Sequence, residues 1–189
     1  AGTLAGHVPC APALDKAQEA GPLLGARIVA RAEAVPGREG LFVLPGFLSD
    51  EEQLRLAERC LAEYPAPQHR CNLTPQHGAI DRIWDTRPDL FERLRWVTLG
   101  YQYDWTNRTY QEEDRVSVPT ELAQYASDAS SVAGQCDVRA EAVIVNYYSP
   151  ASTLGGHLDD VEPDQNSPIV SISLGCAAVF LGVCVCVCV

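Results

Sequence analysis

Two strand-like segments that flank a short polar segment constrain the fold of this chain more than any other feature. Residues 140–148 are rich in β-branched and aromatic side chains, and residues 168–174 alternate between apolar and polar side chains. Both patterns are typical of β-strands. The connecting segment contains a glycine turn followed by His157 and Asp159. Because residues i and i+2 of an extended backbone point the same way, the imidazole and the carboxylate should converge on one point.

This His-x-Asp pair has two interpretations. An imidazole and a carboxylate in this arrangement begin a two-His-one-carboxylate iron site. Alternatively, the pair is a surface histidine beside a solvated aspartate, which is the commoner origin of so short a motif. The flanking strands, rather than the pair itself, favour the first interpretation.

Two helices are predicted in the remainder of the chain. Ser49 and Glu52 form a capping-box pattern at the start of an apolar stripe, which predicts a helix over residues 50–63. A second apolar pattern predicts a helix over residues 120–132, and Gly134 is placed to end it.

Further strands are predicted on both sides of the first helix. The apolar segments 40–45 and 94–103 are further strand candidates, in addition to 140–148 and 168–174. Residues 65–90 contain several prolines and are predicted to form a loop.

The predicted loop carries His69 and His77. Either histidine could contact a metal or a substrate, but neither has a neighbour at the spacing of a metal-ligand pair. A solvated loop histidine is therefore the favoured interpretation for both.

The composition excludes some classes of protein. With 189 residues and 47% hydrophobic side chains, the chain can bury the core of one domain and is not generally disordered. Its formal net charge of −11 argues mildly against a polyanionic partner, because nucleic-acid binders usually present a basic surface. No apolar stretch approaches the roughly 20 residues that cross a bilayer, so no membrane partner is expected.

Several sequence blocks occur in an order that resembles a known family. After the strand come Asn146 and Tyr148, then the glycine turn, the His-x-Asp pair and the alternating strand, and the block Leu-Arg-Trp-Val-Thr-Leu-Gly-Tyr-Gln-Tyr stands upstream at residues 94–103. This order resembles the AlkB family of Fe(II)/2-oxoglutarate dioxygenases over roughly residues 40–182. The upstream block and Thr-Leu-Gly-Gly-His at residues 153–157 are most similar to its eukaryotic homologue 1 branch.

The resemblance implies an α+β, mainly β fold. Its core would be a partial double-stranded β-helix, or jelly roll, with an N-terminal strand–helix extension, and the C-terminal half of the barrel is expected to be missing. The implied organisation is a flexible leader over residues 1–39, an incomplete dioxygenase domain over 40–182 and a tail over 183–189.

The tail reads Val-Cys-Val-Cys-Val-Cys-Val and has two interpretations. As a genuine strand it would place three thiols on one face, which could bind a soft metal. Alternatively it is the translation of an uninterrupted GT repeat, since GTG encodes Val and TGT encodes Cys. The second interpretation is favoured, so the tail is expected to be non-native.

The family's chemistry assigns roles to four residues. The resemblance implies that His157 and Asp159 are two of three Fe(II) ligands and that Asn146 and Tyr148 hydrogen-bond 2-oxoglutarate. Oxidation of 2-oxoglutarate by O2 would yield succinate and carbon dioxide, and an N-methyl group on a base would be hydroxylated and lost as formaldehyde. The third ligand, a histidine, and the arginine pair that holds the cosubstrate are expected beyond Val189.

Three aromatic residues on the strand candidate 94–103 could contact a substrate. Trp96, Tyr101 and Tyr103 can be described either as cross-strand packing or as a wall on which a flipped base stacks. The resemblance gives the second interpretation the same weight as the first, so both stay open.

The resemblance therefore implies an oxidative demethylase of N-methylated bases in DNA or RNA, which we expect to be inactive as this truncated chain. The alternative is a non-catalytic truncated isoform that acts as a binding protein. In either case we expect a monomer inside the cell, in the nucleus, cytoplasm or mitochondrion.

Overall fold

A computed structural model of the protein describes residues 31–104, 107, 109–111, 113, 115–135, 138–159, 164, 166–181 and 187–188. Short strands and helices are interspersed along these residues, in agreement with a mixed α+β class. In chain order they are β1 (Glu33–Ala34), β2 (Phe42–Val43), α1 (Asp50–Ala62), β3 (Arg70–Cys71), α2 (Thr74–His77), α3 (Ile83–Thr86), α4 (Pro88–Phe91), β4 (Trp96–Gly100), β5 (Gln102–Asp104), β6 (Thr109–Gln111), α5 (Thr120–Val132), β7 (Ala142–Asn146), β8 (Val170–Ser171) and β9 (Val187–Cys188).

The strands of the described residues form three sheets. The central sheet has the order β3-β4-β7, and both of its pairings are antiparallel. A second sheet has the order β1-β2-β9-β8, in which β9 is parallel to both of its neighbours. The strands β5 and β6 form an antiparallel hairpin that follows β4 directly. None of the helices in the described ranges has the length and apolarity that crossing a bilayer requires.

The central sheet has a core side and an open side. Along β7, Val143 and Val145 pack against the buried core, whereas Ile144 and Asn146 are exposed. In the β4–β7 register Trp96 stands opposite Asn146, so its side chain shares the open side. Along β7, alternation at the strand period therefore separates the side chains that pack in the core from those that can meet a ligand.

The predicted helix over 50–63 is confirmed as α1, including its start. Ser49 Oγ accepts a hydrogen bond from the Glu52 amide at 3.2 Å, and the Glu52 carboxylate accepts one from the Ser49 amide at 2.9 Å. The apolar stripe is less buried than predicted: Leu56 is buried, but Leu54 and Leu61 are exposed. The capping box thus fixes where the helix begins, while only part of its apolar stripe is covered.

The predicted helix over 120–132 is also confirmed, as α5, and Gly134 follows its end with a φ of 66°. A polar cluster joins α5 to α1. Glu121 lies 2.5 Å from the Arg59 guanidinium and accepts a 3.0 Å hydrogen bond from the Tyr64 hydroxyl. Burial, reinforced by the Glu121 carboxylate, raises the pKa of the Tyr64 phenol. The phenol therefore stays protonated and keeps donating to Glu121, which holds the two helices together.

Three sequence predictions differ from the structure. The strand expected over 168–174 is confined to β8, and β1 lies in a segment that was assigned to the flexible leader. The loop expected over 65–90 contains β3 and the one-turn helices α2, α3 and α4. Two of these helices carry a proline at their start, Pro75 in α2 and Pro88 in α4, because proline suits the first turn of a helix. Proline content alone therefore predicted a loop wrongly.

The strand predicted over 94–103 is divided into β4 and β5 at Gly100. This residue has a φ of +83°, and a Cβ placed on it would lie 2.1 Å from the Glu141 carbonyl oxygen and 2.7 Å from Val118 Cγ2. The Tyr101 amide donates a 3.0 Å hydrogen bond to the same carbonyl. Only glycine permits both this backbone conformation and this close approach.

Beyond the turn at Gly100, a buried side-chain amide connects β5 to β4. Gln102 is buried, and its Oε1 accepts a hydrogen bond from Thr98 Oγ1 at 2.5 Å while its Nε2 donates to the Gly100 carbonyl at 3.2 Å. These bonds satisfy polar groups that would otherwise be costly to bury.

We expect Gly100→Ala to lower the free energy of unfolding by about 3 kcal/mol or more, because it combines a strained positive φ with a backbone clash. Gly134→Ala is the matched control, since Gly134 also has a positive φ but a Cβ placed on it would meet no atom within 4 Å; it should cost about 1–2 kcal/mol. Urea unfolding followed by circular dichroism measures both. Equal losses in the two variants would contradict the prediction.

Candidate functional site

The imidazole and the carboxylate of the His-x-Asp pair lie close together. His157 Nε2 is 3.7 Å from Asp159 Oδ1, and each side chain is 52% exposed. His157 Nδ1 lies 2.8 Å from the Gly155 carbonyl oxygen. If Nδ1 carries the proton and donates to this carbonyl, the lone pair of Nε2 remains available on the side of the aspartate.

This donor set suits a metal ion. A neutral imidazole nitrogen and a carboxylate oxygen are ligands of two-His-one-carboxylate iron sites, and a hydrogen bond from the other ring nitrogen to a carbonyl is the usual way that a ligating histidine is oriented. Among the described residues, however, no group of three His, Cys, Asp or Glu side chains could hold an ion. His157 and Asp159 therefore supply two candidate ligands, and their role as ligands stays a prediction.

The two residues predicted to hold 2-oxoglutarate flank an anchored tyrosine. Tyr147 is half-buried against the core, its hydroxyl donates to the Cys60 carbonyl, and its amide donates to the Arg95 carbonyl at 2.9 Å. Since neighbours in an extended segment alternate, Asn146 and Tyr148 lie on the other side, where both are exposed, Tyr148 by 57%. Their role in binding the cosubstrate stays a prediction.

The three aromatic residues do not form one continuous wall. Trp96 is half-buried on the open side of the central sheet, whereas Tyr101 and Tyr103 both contact Tyr110 of the β5–β6 hairpin edge-on, with ring centroids 6.4 Å and 5.1 Å apart. Tyr103 is only 8% exposed, which agrees with aromatic packing. Trp96 and Tyr101 keep more accessible surface, and base stacking on any of the three stays a prediction.

The sequence analysis did not identify one residue that contacts Tyr101. The Arg115 guanidinium lies over the Tyr101 ring, 4.2 Å from its centroid, and its NH1 donates to the Tyr101 hydroxyl at 3.0 Å. Arg115 NH2 lies 3.9 Å from the Glu141 carboxylate. No local spacing rule connects residues so far apart in the chain, and only the pairing of β5 with β6 would have indicated this contact.

The histidines of the predicted loop have different surroundings. His77 is exposed in the last turn of α2, as expected of a solvated histidine. His69 is half-buried, and its Nδ1 lies 2.7 Å from the Tyr64 carbonyl oxygen. Burial lowers the pKa of His69, although the hydrogen bond to Tyr64 acts in the opposite direction.

Residues 40–182 match the model of the 2OG-Fe(II) oxygenase superfamily. The chain belongs to this family, whose name specifies the Fe(II) and 2-oxoglutarate that are used with O2. The antiparallel sheets and helices of the described residues fit a jelly-roll family.

Within this superfamily the chain is AlkB-like and close to the ALKBH1 branch. It is 32% identical to the DNA N(6)-methyladenine demethylase ALKBH1A of Arabidopsis thaliana, over 78% of this chain and 54% of that protein. It is 33% identical to the nucleic acid dioxygenase ALKBH1 of Mus musculus, over 80% of this chain and 43% of that protein. It is 31% identical to the tRNA demethylase abh1 of Schizosaccharomyces pombe, over 75% of this chain and 56% of that protein. The chain thus spans about half the length of the curated relatives it matches.

We expect the 189-residue chain to bind Mn(II), an oxygen-stable substitute for Fe(II), only weakly, because the described residues supply two candidate ligands. His157→Ala should reduce the affinity by at least about tenfold, whereas His77→Ala should leave it unchanged. Electron paramagnetic resonance of the free Mn(II) measures both. Unchanged binding by the His157→Ala variant would place the metal elsewhere.

We expect the stability of the protein to fall as the pH is lowered from about 6.5, the ordinary pKa of histidine, because His69 has a lowered pKa in the folded state. The unfolded chain then binds a proton that the folded chain resists, so stability is fully present above the ordinary pKa and is lost as the pH falls through the folded value. Urea midpoints between pH 7.5 and 5 should fall less for His69→Asn than for His77→Asn. The same fall in both variants would exclude His69 as its source.

Proposed function

We propose that this protein acts in the oxidative demethylation of N-methylated bases in DNA or RNA, with Fe(II), 2-oxoglutarate and O2. One observation carries the proposal. In a chain that belongs to the 2OG-Fe(II) oxygenases, His157 Nε2 and Asp159 Oδ1 converge to 3.7 Å in a segment that is open to solvent.

His157 and Asp159 would hold the metal. By accepting a hydrogen bond from a protonated Nδ1, the Gly155 carbonyl, 2.8 Å from that atom, would orient the ring and leave Nε2 to the ion. When bound, Fe(II) supplies the redox chemistry by which 2-oxoglutarate and O2 convert an N-methyl group to a hydroxymethyl group, which then leaves as formaldehyde. The protein contributes ligands, orientation and binding surface rather than a redox group of its own.

Asn146 and Tyr148 would hydrogen-bond the cosubstrate. An amide and a phenol can both donate to a carboxylate oxygen, and both side chains lie away from the core because Tyr147 between them is anchored to it. Tyr147 itself is committed to the Cys60 carbonyl, so it is not a candidate for cosubstrate binding.

A methylated base is the substrate that the surroundings favour. Relatives are named as demethylases of DNA N(6)-methyladenine and of tRNA, and aromatic faces hold extruded or single-stranded bases by stacking. Trp96 on the open side and Tyr101 directly before the hairpin are the accessible candidates, while Tyr103 is buried and packs edge-on against Tyr110.

A second candidate function is binding without turnover. It is favoured by the finding that the part of the chain described by the structure offers two candidate metal ligands but no group of three. On this alternative the chain would bind a partner or a nucleic acid and leave it unchanged.

Turnover separates the two candidates. We expect no release of formaldehyde or succinate from a methylated oligonucleotide by the 189-residue chain supplied with Fe(II), ascorbate and 2-oxoglutarate. Replacing the tail from Val183 onward with the remainder of a homologous domain should restore turnover, because it supplies a third ligand and the rest of the site.

Within that chimaera, His157→Ala and Asp159→Ala should each abolish turnover, and His77→Ala should not. A chimaera that stays active without His157 would refute the proposed ligands. Robust, chelator-sensitive turnover by the 189-residue chain itself would show that it already contains a complete site.

A further inference from the structure

An arginine is fixed against Tyr101, the accessible tyrosine that directly precedes the β5–β6 hairpin. Arg115 lies over the ring of Tyr101 at 4.2 Å and donates a 3.0 Å hydrogen bond to its hydroxyl. Tyr110 supports the other partner, since its ring meets Tyr101 edge-on. Stacking and hydrogen bonding together hold the planar guanidinium in one orientation, so little side-chain entropy remains to be lost when it binds something else.

The positive charge of Arg115 is only weakly neutralised. Its side chain is 41% exposed, and the nearest carboxylate, that of Glu141, is 51% exposed and stands 3.9 Å away, too far for a hydrogen bond. Within the described part of the chain the guanidinium makes one hydrogen bond, to Tyr101. Most of its N–H donors are therefore available to an anion from solution.

Because the chain has a net charge of −11, an exposed and fixed cation such as Arg115 matters for binding a polyanion. A chain with this charge repels a polyanion over most of its surface, so binding must rely on the few places where a cation is both exposed and held in place. A guanidinium beside an aromatic ring is also the combination that single-strand binding surfaces use, with phosphate and base contacted side by side.

We propose that Arg115 binds a backbone phosphate of a single-stranded nucleic acid, next to the nucleotide whose base contacts Tyr101. The guanidinium fork matches two phosphate oxygens. Glu141 competes with the phosphate for Arg115 and so limits the affinity. The proposal rests on the proposed function, because it assigns a residue that would position the nucleic-acid strand on which that function acts.

Salt dependence tests this role directly. Binding of fluorescein-labelled single-stranded oligonucleotides, one DNA and one RNA of the same sequence, is measured by fluorescence anisotropy for the 189-residue chain at 25–200 mM KCl. Arg115→Gln should weaken binding and reduce the slope of log K against log salt by about 0.7, the value for one phosphate contact on a single strand. Arg115→Lys keeps the charge, so it should restore the slope while binding less tightly than Arg115.

Two further variants separate a local contact from a general charge effect. Arg38→Gln removes the same charge from an exposed turn between β1 and β2 and should leave the slope unchanged. Glu141→Gln should tighten binding, because it removes the competing carboxylate.

The outcomes are distinguishable. An unchanged slope for Arg115→Gln, or an equal loss in Arg38→Gln, overturns the role of Arg115 and leaves the proposed function standing. No binding of either oligonucleotide by the unaltered chain also overturns the role of Arg115, whereas the proposed function is decided by turnover of the chimaera. If the variants change the salt slope as expected, the phosphate contact of Arg115 is supported. Whether this occurs with the DNA oligonucleotide, the RNA oligonucleotide or both shows which backbone Arg115 binds.

Discussion

The antiparallel pairing of β4 with β7 is the interaction on which the rest of the structure depends. Its five paired positions, from Trp96 opposite Asn146 to Gly100 opposite Ala142, place one row of side chains in the core and the other row on the open side. A slip of one residue would exchange the two rows, which would bury Asn146 and expose Val145. The hydrogen bond from the Tyr101 amide to the Glu141 carbonyl, next to Gly100, adds a further backbone contact at the end of this pairing. The candidate site is therefore defined by strand register before any of its own hydrogen bonds form.

Features that depend on local periodicity could be predicted from the sequence. The helix after Ser49 begins where its capping box requires, and His157 and Asp159 lie together as their spacing of two residues predicts. Features that depend on distant partners could not. Leu54 and Leu61 look like core residues by spacing but are exposed, because nothing among the described residues covers that face of α1.

The same distinction applies to the polar contacts. Gln102 looks like an ordinary surface residue in the sequence, yet its amide is buried and joins β5 to β4. The contact of Arg115 with Tyr101 depends on the hairpin between them, and that of Glu121 with Arg59 depends on the packing of two helices. Each contact forms only after the backbone has brought the partners together, so no local pattern carries a signal for it.

The hydrogen bond from Tyr147 to Cys60 has a consequence for exchanging segments between homologous proteins. It connects the end of α1 with the strand end that carries Asn146 and Tyr148, across 87 positions of sequence. The acceptor is a backbone carbonyl, which every residue type provides. A homologue's helix can therefore replace α1 without a matching side chain at position 60, provided that its length and placement keep that carbonyl where it is. The donor, by contrast, must be a residue with a hydroxyl at position 147. An exchange of segments between homologues is therefore limited by helix geometry at α1 and by residue identity at position 147.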